Sequence, residues 1–224
     1  MPHAKTLMQH IAPLLLAAVP RLLAQDSPPL IDNEQVRVIK AVDRPHDKSA
    51  PHDHKLNRVM VYLTAGRQEV TPQHGQKAVL EYKAGDVKWS PATGMHVSEV
   101  TSNATVTIIE VEIKKPGDPR KMPSATLDPL KVDPKDYHME FENSQVRVFR
   151  VHFTPHGEIP LHEHLLNRVV VYLTDQHGSQ TTLDGKTMVA QHKAGDVNWA
   201  GPAKHTEKNL SDKPIDTVIV ELKD

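Results

Sequence analysis

Apolar positions along the chain recur in short alternating runs, not at helical spacing. From Gln35 to Val42, Val36 and Val38 share one face, with Arg37 and Lys40 departing from it. Val59 to Thr64 and Val169 to Thr174 are runs of β-branched and aromatic residues. Asp184-Gly185, between Thr182-Leu183 and Lys186-Thr187, is a two-residue hairpin signal. Gly85-Asp86 and Gly195-Asp196 each open a strand that holds Val and Trp, and Thr105 to Ile113 and Thr217 to Leu222 alternate again. Many short strands with regular turn signals and no amphipathic helix predict an all-β sandwich or barrel.

One apolar stretch stands apart. Ile11 to Val19 lies within residues 1–24, which carry Lys5 and Arg21 and no acid. It falls short of the ~20 residues needed to span a bilayer. It fits the apolar region of an export signal cleaved after Ala24, and so predicts a periplasmic or secreted protein. The other reading is an N-terminal helix packed on the domain. No other segment predicts a membrane span.

Sliding the chain against itself by 110 residues aligns Asn33–Trp89 with Asn143–Trp199 without a gap, and 26 of the 57 positions are identical. Leu56-Asn57-Arg58-Val59 meets Leu166-Asn167-Arg168-Val169, and Lys83-Ala84-Gly85-Asp86-Val87 meets Lys193-Ala194-Gly195-Asp196-Val197. Beyond one deletion the offset is 109, so His96 meets His205 and Val111-Glu112 meets Val220-Glu221. The chain is therefore an internal duplication. The copies span 30–114 and 139–224. The interval 115–138 holds Pro116, Pro119, Pro123, Pro129 and Pro134 and reads as a stiff, extended linker. Two copies in one chain predict face-to-face packing of the barrels, as a pseudo-dimeric monomer or within a homo-oligomer.

Composition narrows the chemistry. The chain has 27 Lys+Arg, 28 Asp+Glu, 15 His and no Cys. Disulfides, thiolate metal sites and cysteine nucleophiles are excluded. A formal net charge of −1 argues against nucleic acid as the partner. The histidines fall at matched places: His52-Asp53-His54 in one copy, His162-Glu163-His164 in the other. Residues i and i+2 of a strand share a face, so each pair can converge on one point, with His96 or His205 arriving from a later strand. Three imidazoles so placed suit a divalent transition metal, although the same rings could simply hydrogen-bond in a polar core. No phosphate loop, dinucleotide fingerprint or nucleophile elbow is present.

These residues resemble the cupin superfamily, and the duplication resembles a bicupin, as in exported bacterial cupin-domain proteins. The first cupin motif is Gly, five residues, His-x-His, three or four residues, Glu, six residues, Gly. The second is Gly, five residues, Pro-x-Gly, two residues, His, three residues, Asn. Gly85, Pro91, Gly94 and His96 match the second motif in one copy, and Gly195, His205 and Asn209 match it in the other. The resemblance implies two tandem jelly-roll barrels of six to eight strands, each with a three-histidine pocket. Its implied metal ligands are His52, His54 and His96, and His162, His164 and His205. The metal would be Fe, Mn, Zn, Ni or Cu.

The chain departs from the pattern at the motif Glu, where Arg58-Val59 and Arg168-Val169 stand instead. Asp53 and Glu163 should point to the opposite strand face. An inward Arg58 or Arg168 would disfavour a dication but hold a substrate carboxylate with its fork; the alternative is a strand-edge Arg paired with a surface acid. Matched His46 and His156 are loop residues or reach the pocket as further ligands or proton shuttles. Tyr62, Tyr172, Trp89 and Trp199 are expected to pack in the core or pocket wall, and Asp86 and Asp196 to fix turns. Two functions follow. One is a metal-dependent enzyme, of dioxygenase or of isomerase or decarboxylase type, acting on a small anionic substrate. The other is an exported module that binds a small molecule or metal without turnover. A purely structural role is a third, weakened by the retention of inward histidines in both copies.

Overall fold

A computed structural model describes residues 28–121 and 126–224; the segment read as an export signal lies outside them. The first copy runs β1 (Ile31–Asp32), β2 (Val36–Asp43), β3 (His52–His54), β4 (Asn57–Tyr62), β5 (Gly66–Pro72), β6 (Ala78–Tyr82), β7 (Val87–Ser90), β8 (Thr93–Val100) and β9 (Val106–Ile113). After a single helical turn, α1 (Pro129–Val132), the second runs β10 (Tyr137–Glu142), β11 (Val146–Phe153), β12 (Glu158–His164), β13 (Arg168–Tyr172), β14 (Gln176–Thr182), β15 (Thr187–His192), β16 (Val197–Ala200), β17 (Ala203–Asn209) and β18 (Ile215–Leu222).

Each copy folds into a five-stranded and a four-stranded sheet. The large sheets have the orders β1-β2-β9-β4-β7 and β10-β11-β18-β13-β16, and the small ones β3-β8-β5-β6 and β12-β17-β14-β15. Strand for strand the two copies are the same. Each holds nine strands, more than the expected six to eight; β1 and β10 extend the edge of each large sheet. The β14–β15 hairpin is not closed by the expected two-residue turn. Thr182 N donates to Lys186 O at 3.0 Å around a three-residue loop, Leu183 to Gly185, in which Gly185 alone is left-handed, at φ +80°.

The large sheets are buried on both faces. On β9, Ile109, Val111 and Ile113 join Val36, Val38, Val59 and Val61, and this layer packs against Val146, Val148, Val169, Val171, Val218, Val220 and Leu222 of the second copy. The barrels therefore meet face to face through their large sheets. The opposite faces line the barrel interiors, around Met60, Tyr62, Tyr82 and Ile108 in one and Tyr137, Phe149, Ile159 and Ile219 in the other. Two-sided burial explains why these strands are nearly continuous in Val and Ile. A polar exchange rims the contact: Asn57 Nδ2 donates to Gln145 Oε1 at 2.6 Å, and Asn167 Nδ2 to Gln35 Oε1 at 2.7 Å. These are the same two positions in the two copies with roles reversed, as expected of a pseudo-two-fold.

The proline-dense interval is not extended throughout. Pro129 occupies the first turn of α1, where its missing N–H has no partner to lose. Asp128 caps that turn, accepting from Leu130 N at 3.1 Å, and lies 2.8 Å from Arg147 Nη2. Among the described residues, no helix is long and apolar enough to cross a membrane.

Candidate metal centres

In both barrels the two histidines of the His-x-His pair point inward with the third opposite them. His52 is the cross-strand partner of His96, and His162 of His205. Ring centroids lie 4.4 Å apart for His52–His96 and 4.6 Å for His162–His205. In each triplet, one possible ligand atom per ring falls within 4.8 Å of the other two. All six predicted ligands are thus brought together as two sets of three. Asp53 and Glu163 turn away to Lys55 and Lys204.

Hydrogen bonds set which ring nitrogen faces inward. In the second barrel, His162 Nδ1 lies 2.9 Å from Pro160 O, and His164 Nδ1 lies 2.7 Å from Glu221 Oε1. Each contact places the ring proton on Nδ1 and leaves the Nε2 lone pair for the centre. His205 Nε2 is buried without a hydrogen-bond partner; Glu207 Oε1 is 3.3 Å away but not in line for a bond. Tyr137 Oη stands 3.3 Å from His162 Nε2. The neighbours of these inward nitrogens are a neutral hydroxyl, which can turn aside, and a carboxylate, and no cation is bonded to them, so this set fits a bound divalent ion.

The first barrel differs at one ring. His52 Nδ1 and His96 Nδ1 lie 2.9 Å from Ala50 O and Gly94 O. His54 Nε2, however, accepts from Arg58 Nη1 at 3.0 Å, so the lone pair that should face a metal is already engaged. Burial first, and Arg58 next, push the His54 pKa down to about 3. This triplet fits an ion poorly.

Both arginines are buried and inward, so the surface-edge reading is set aside. Arg58 is not an open fork: Glu110 Oε2 takes Nη1 at 2.7 Å and Ser90 Oγ takes Nη2 at 3.0 Å. Arg168 donates to the Gly201 carbonyl and lines the cavity of the second barrel. That cavity, about 420 Å³, is bordered by His164, Arg168, Tyr172, Gln180, His192 and Glu207 among others. The first barrel's, about 280 Å³, has Ile39, Met60, Val70, Leu80 and Ile108 in its wall. Tyr172 stacks on His192 with centroids 3.9 Å apart, at the place where Tyr62 stacks on Tyr82 at 4.0 Å. Trp199 lines the cavity of the second barrel, whereas Trp89 packs beside the layer between the barrels.

Three carboxylates go beyond the sequence reading. Glu110 arrives from β9 and Glu221 from β18, each facing its barrel interior. Glu207 follows His205 by two residues on β17, so the rule that aligns the His pairs also aligns these two. Burial alone would raise the Glu207 pKa; His205, His162 and the Gln180 amide outweigh it, and the carboxylate is held ionised. His46 and His156 do not join the sites. They are turn residues with φ +61° and +57°, and His156 Nε2 contacts Asp212 at 2.9 Å. They stand six residues before His52 and His162, at the cupin motif's Gly. Asn209 is structural, bridging Thr154 O and Lys213 O.

Two jelly rolls of this order, each with inward histidines on facing strands, define the fold of a tandem cupin. Two solved structures superpose on most of the chain. AerE from Microcystis aeruginosa superposes with a TM-score of 0.60 at 13% identity, covering 84% of this chain and 88% of its own. Oxalate decarboxylase from Bacillus subtilis superposes with a TM-score of 0.58 at 14% identity, covering 91% and 72%. A cupin domain from Bordetella pertussis Tohama I aligns at 27% identity over 39% of this chain and 92% of its own, with a TM-score of 0.38. No family model and no curated protein matches the chain.

Proposed function

We propose that the chain is a metal-dependent enzyme whose reaction centre lies in the second barrel and which moves a proton on a small carboxylic acid. The observation that carries this is the His162, His164 and His205 set, with no hydrogen bond to His205 Nε2, beside a cavity that His164 lines together with a cation, Arg168, and a carboxylate, Glu207. These histidines would hold the ion, which supplies Lewis-acid polarisation of a substrate oxygen. Arg168 presents its guanidinium to the substrate carboxylate and orients it. Glu207, kept ionised and two residues from His205, accepts the proton released next to the polarised carbonyl. Tyr172, stacked on His192, and Gln180, bonded to Glu207 Oε1 at 2.6 Å, fix the wall and the base. A base that takes a proton from carbon and can return it to a neighbouring carbon favours isomerase chemistry; decarboxylation would instead release CO2 and take up a proton at the same place.

The likeness to oxalate decarboxylase, whose Bacillus subtilis form has Mn(II) centres, is consistent with this reading. The charge pattern of residues 1–24 supports an exported enzyme. The test is deuterium exchange at the carbon next to the carbonyl in a panel of small oxo-acids, followed by NMR with Mn(II)-loaded protein. Exchange is expected in the wild type, lost in His162→Ala/His164→Ala and reduced at least about 100-fold in Glu207→Gln. Ligand-induced stabilisation with no exchange by the loaded protein would replace the reading by one of binding alone.

A further inference from the structure

The two copies share their histidines and their arginine, yet Arg58 lies against His54 while Arg168 does not lie against His164. The cause is visible one strand away on either side. Arg58 pairs across β4 and β7 with Ser90, whose hydroxyl takes Nη2, and Glu110 of the neighbouring β9 takes Nη1. At the matched register of the second copy, Arg168 faces Ala200, and Ile219 stands where Glu110 would be. Neither side chain accepts a hydrogen bond. Arg168, without these anchors, donates to the Gly201 carbonyl and, unlike Arg58, makes no hydrogen bond to an imidazole, although its charge still bears on His164.

We infer that Ser90 and Glu110 hold Arg58 in the place of a metal ion in the first barrel, so that the chain carries one ion, in the second barrel only. The guanidinium caps the His54 lone pair and balances Glu110, the two tasks a dication would otherwise perform there. The first barrel is then a metal-free pocket with a mostly apolar wall, and its ligand chemistry differs from that of the second. This inference rests on the metal reading proposed above for the second barrel.

The experiment is Mn(II) and Zn(II) stoichiometry by elemental analysis and calorimetry on the full chain. One ion per wild-type chain is expected, lost in His162→Ala/His164→Ala and kept in His52→Ala/His54→Ala. Two ions per chain, one lost with each pair, would overturn the inference and leave the proposed function standing. No ion at all would overturn the proposed function itself. The decisive variant is Arg58→Gln/Glu110→Gln, which removes both charges together and leaves no buried ion unpaired. With an unchanged melting transition it should take up a second ion, lost again when His52→Ala is added. The reciprocal Ala200→Ser/Ile219→Glu should anchor Arg168 and weaken binding in the second barrel at least about tenfold. A folded Arg58→Gln/Glu110→Gln chain that still holds one ion overturns the role given to Arg58.

Discussion

Glu221 Oε1 stands 2.7 Å from His164 Nδ1, while its other oxygen lies 3.2 Å from Arg147 Nη1. One carboxylate thus fixes a ring's tautomer and takes one of the arginine's donors. Glu221→Gln cannot do both, because its amide offers one acceptor and one donor edge. Metal affinity is expected to fall about 10–100-fold. The fold should hold, since Arg147 keeps Asp128 at 2.8 Å. Calorimetric titration of the variant checks this, and undiminished affinity would count against the orienting role.

Acid should destabilise the metal-free protein. Burial lowers the pKa of His54, to about 3, and those of His96, His162 and His164. Unfolded imidazoles titrate near 6.5. Between about 6.5 and about 3 the unfolded chain therefore binds more protons than the native one, and stability falls as pH drops through that window. Glu221 acts in the opposite sense. Burial raises it to about 7 against an ordinary 4.5, so acidification between those values favours the native state. Glu110, Asp43 and Asp136 are raised by burial in the same sense, whereas Glu207, held down to about 2, loses its contribution as pH falls and acts with the four imidazoles. Below 4.5 the Glu221 contribution no longer changes. Urea midpoints should fall from pH 7.5 to 5.5 and more steeply from 4.5 to 3.5. A midpoint that holds or rises over the lower interval would refute the assignment of neutral buried histidines.

His46 and His156 adopt left-handed backbone, which costs a non-glycine residue roughly 1–2 kcal/mol. Glycine removes that strain but gains unfolded-chain freedom. His46→Gly and His156→Gly should each shift stability by under about 1 kcal/mol and leave metal content unchanged. His156→Val should cost more, because a β-branched residue is a genuine outlier there. Loss of metal in either glycine variant would restore a ligand role to these histidines.

The two barrels should unfold together. Val111 and Val220 are fully buried in the layer between the large sheets. Val220→Asp places an unpaired charge there and should cost about 4 kcal/mol or more. Calorimetry should show one transition in the wild type and a single, lower one in the variant. Two resolved transitions would mean that the layer does not couple the copies.

Much of this molecule is written in strand periodicity. A period of two places His52 with His54 and His162 with His164, and it turns Asp53 and Glu163 away, as the structure does. The same rule, carried one step further along β17, would have placed Glu207 beside His205. Glu110 and Glu221 are harder to see, because they meet Arg58 and His164 from a strand far along the chain, and only sheet order brings them together. Tyr137 lies in the proline-dense interval, and no pattern there points to His162. The histidines before each His-x-His pair mark a different limit. Their residue type suggested chemistry, whereas their place in the cupin motif, where Gly is usual, encodes a backbone angle.

The packing of one large sheet on the other has a consequence for how such a chain changes over time. In a symmetric dimer of identical subunits, any substitution is made twice and a site cannot be altered while its mate is kept. Covalent duplication removes that coupling. Ser90 and Glu110 could arise in one half, or Ala200 and Ile219 in the other, without touching the counterpart, while the shared valine layer kept both halves under selection for the same shape. The chain is in that sense a dimer whose subunits are free to differ.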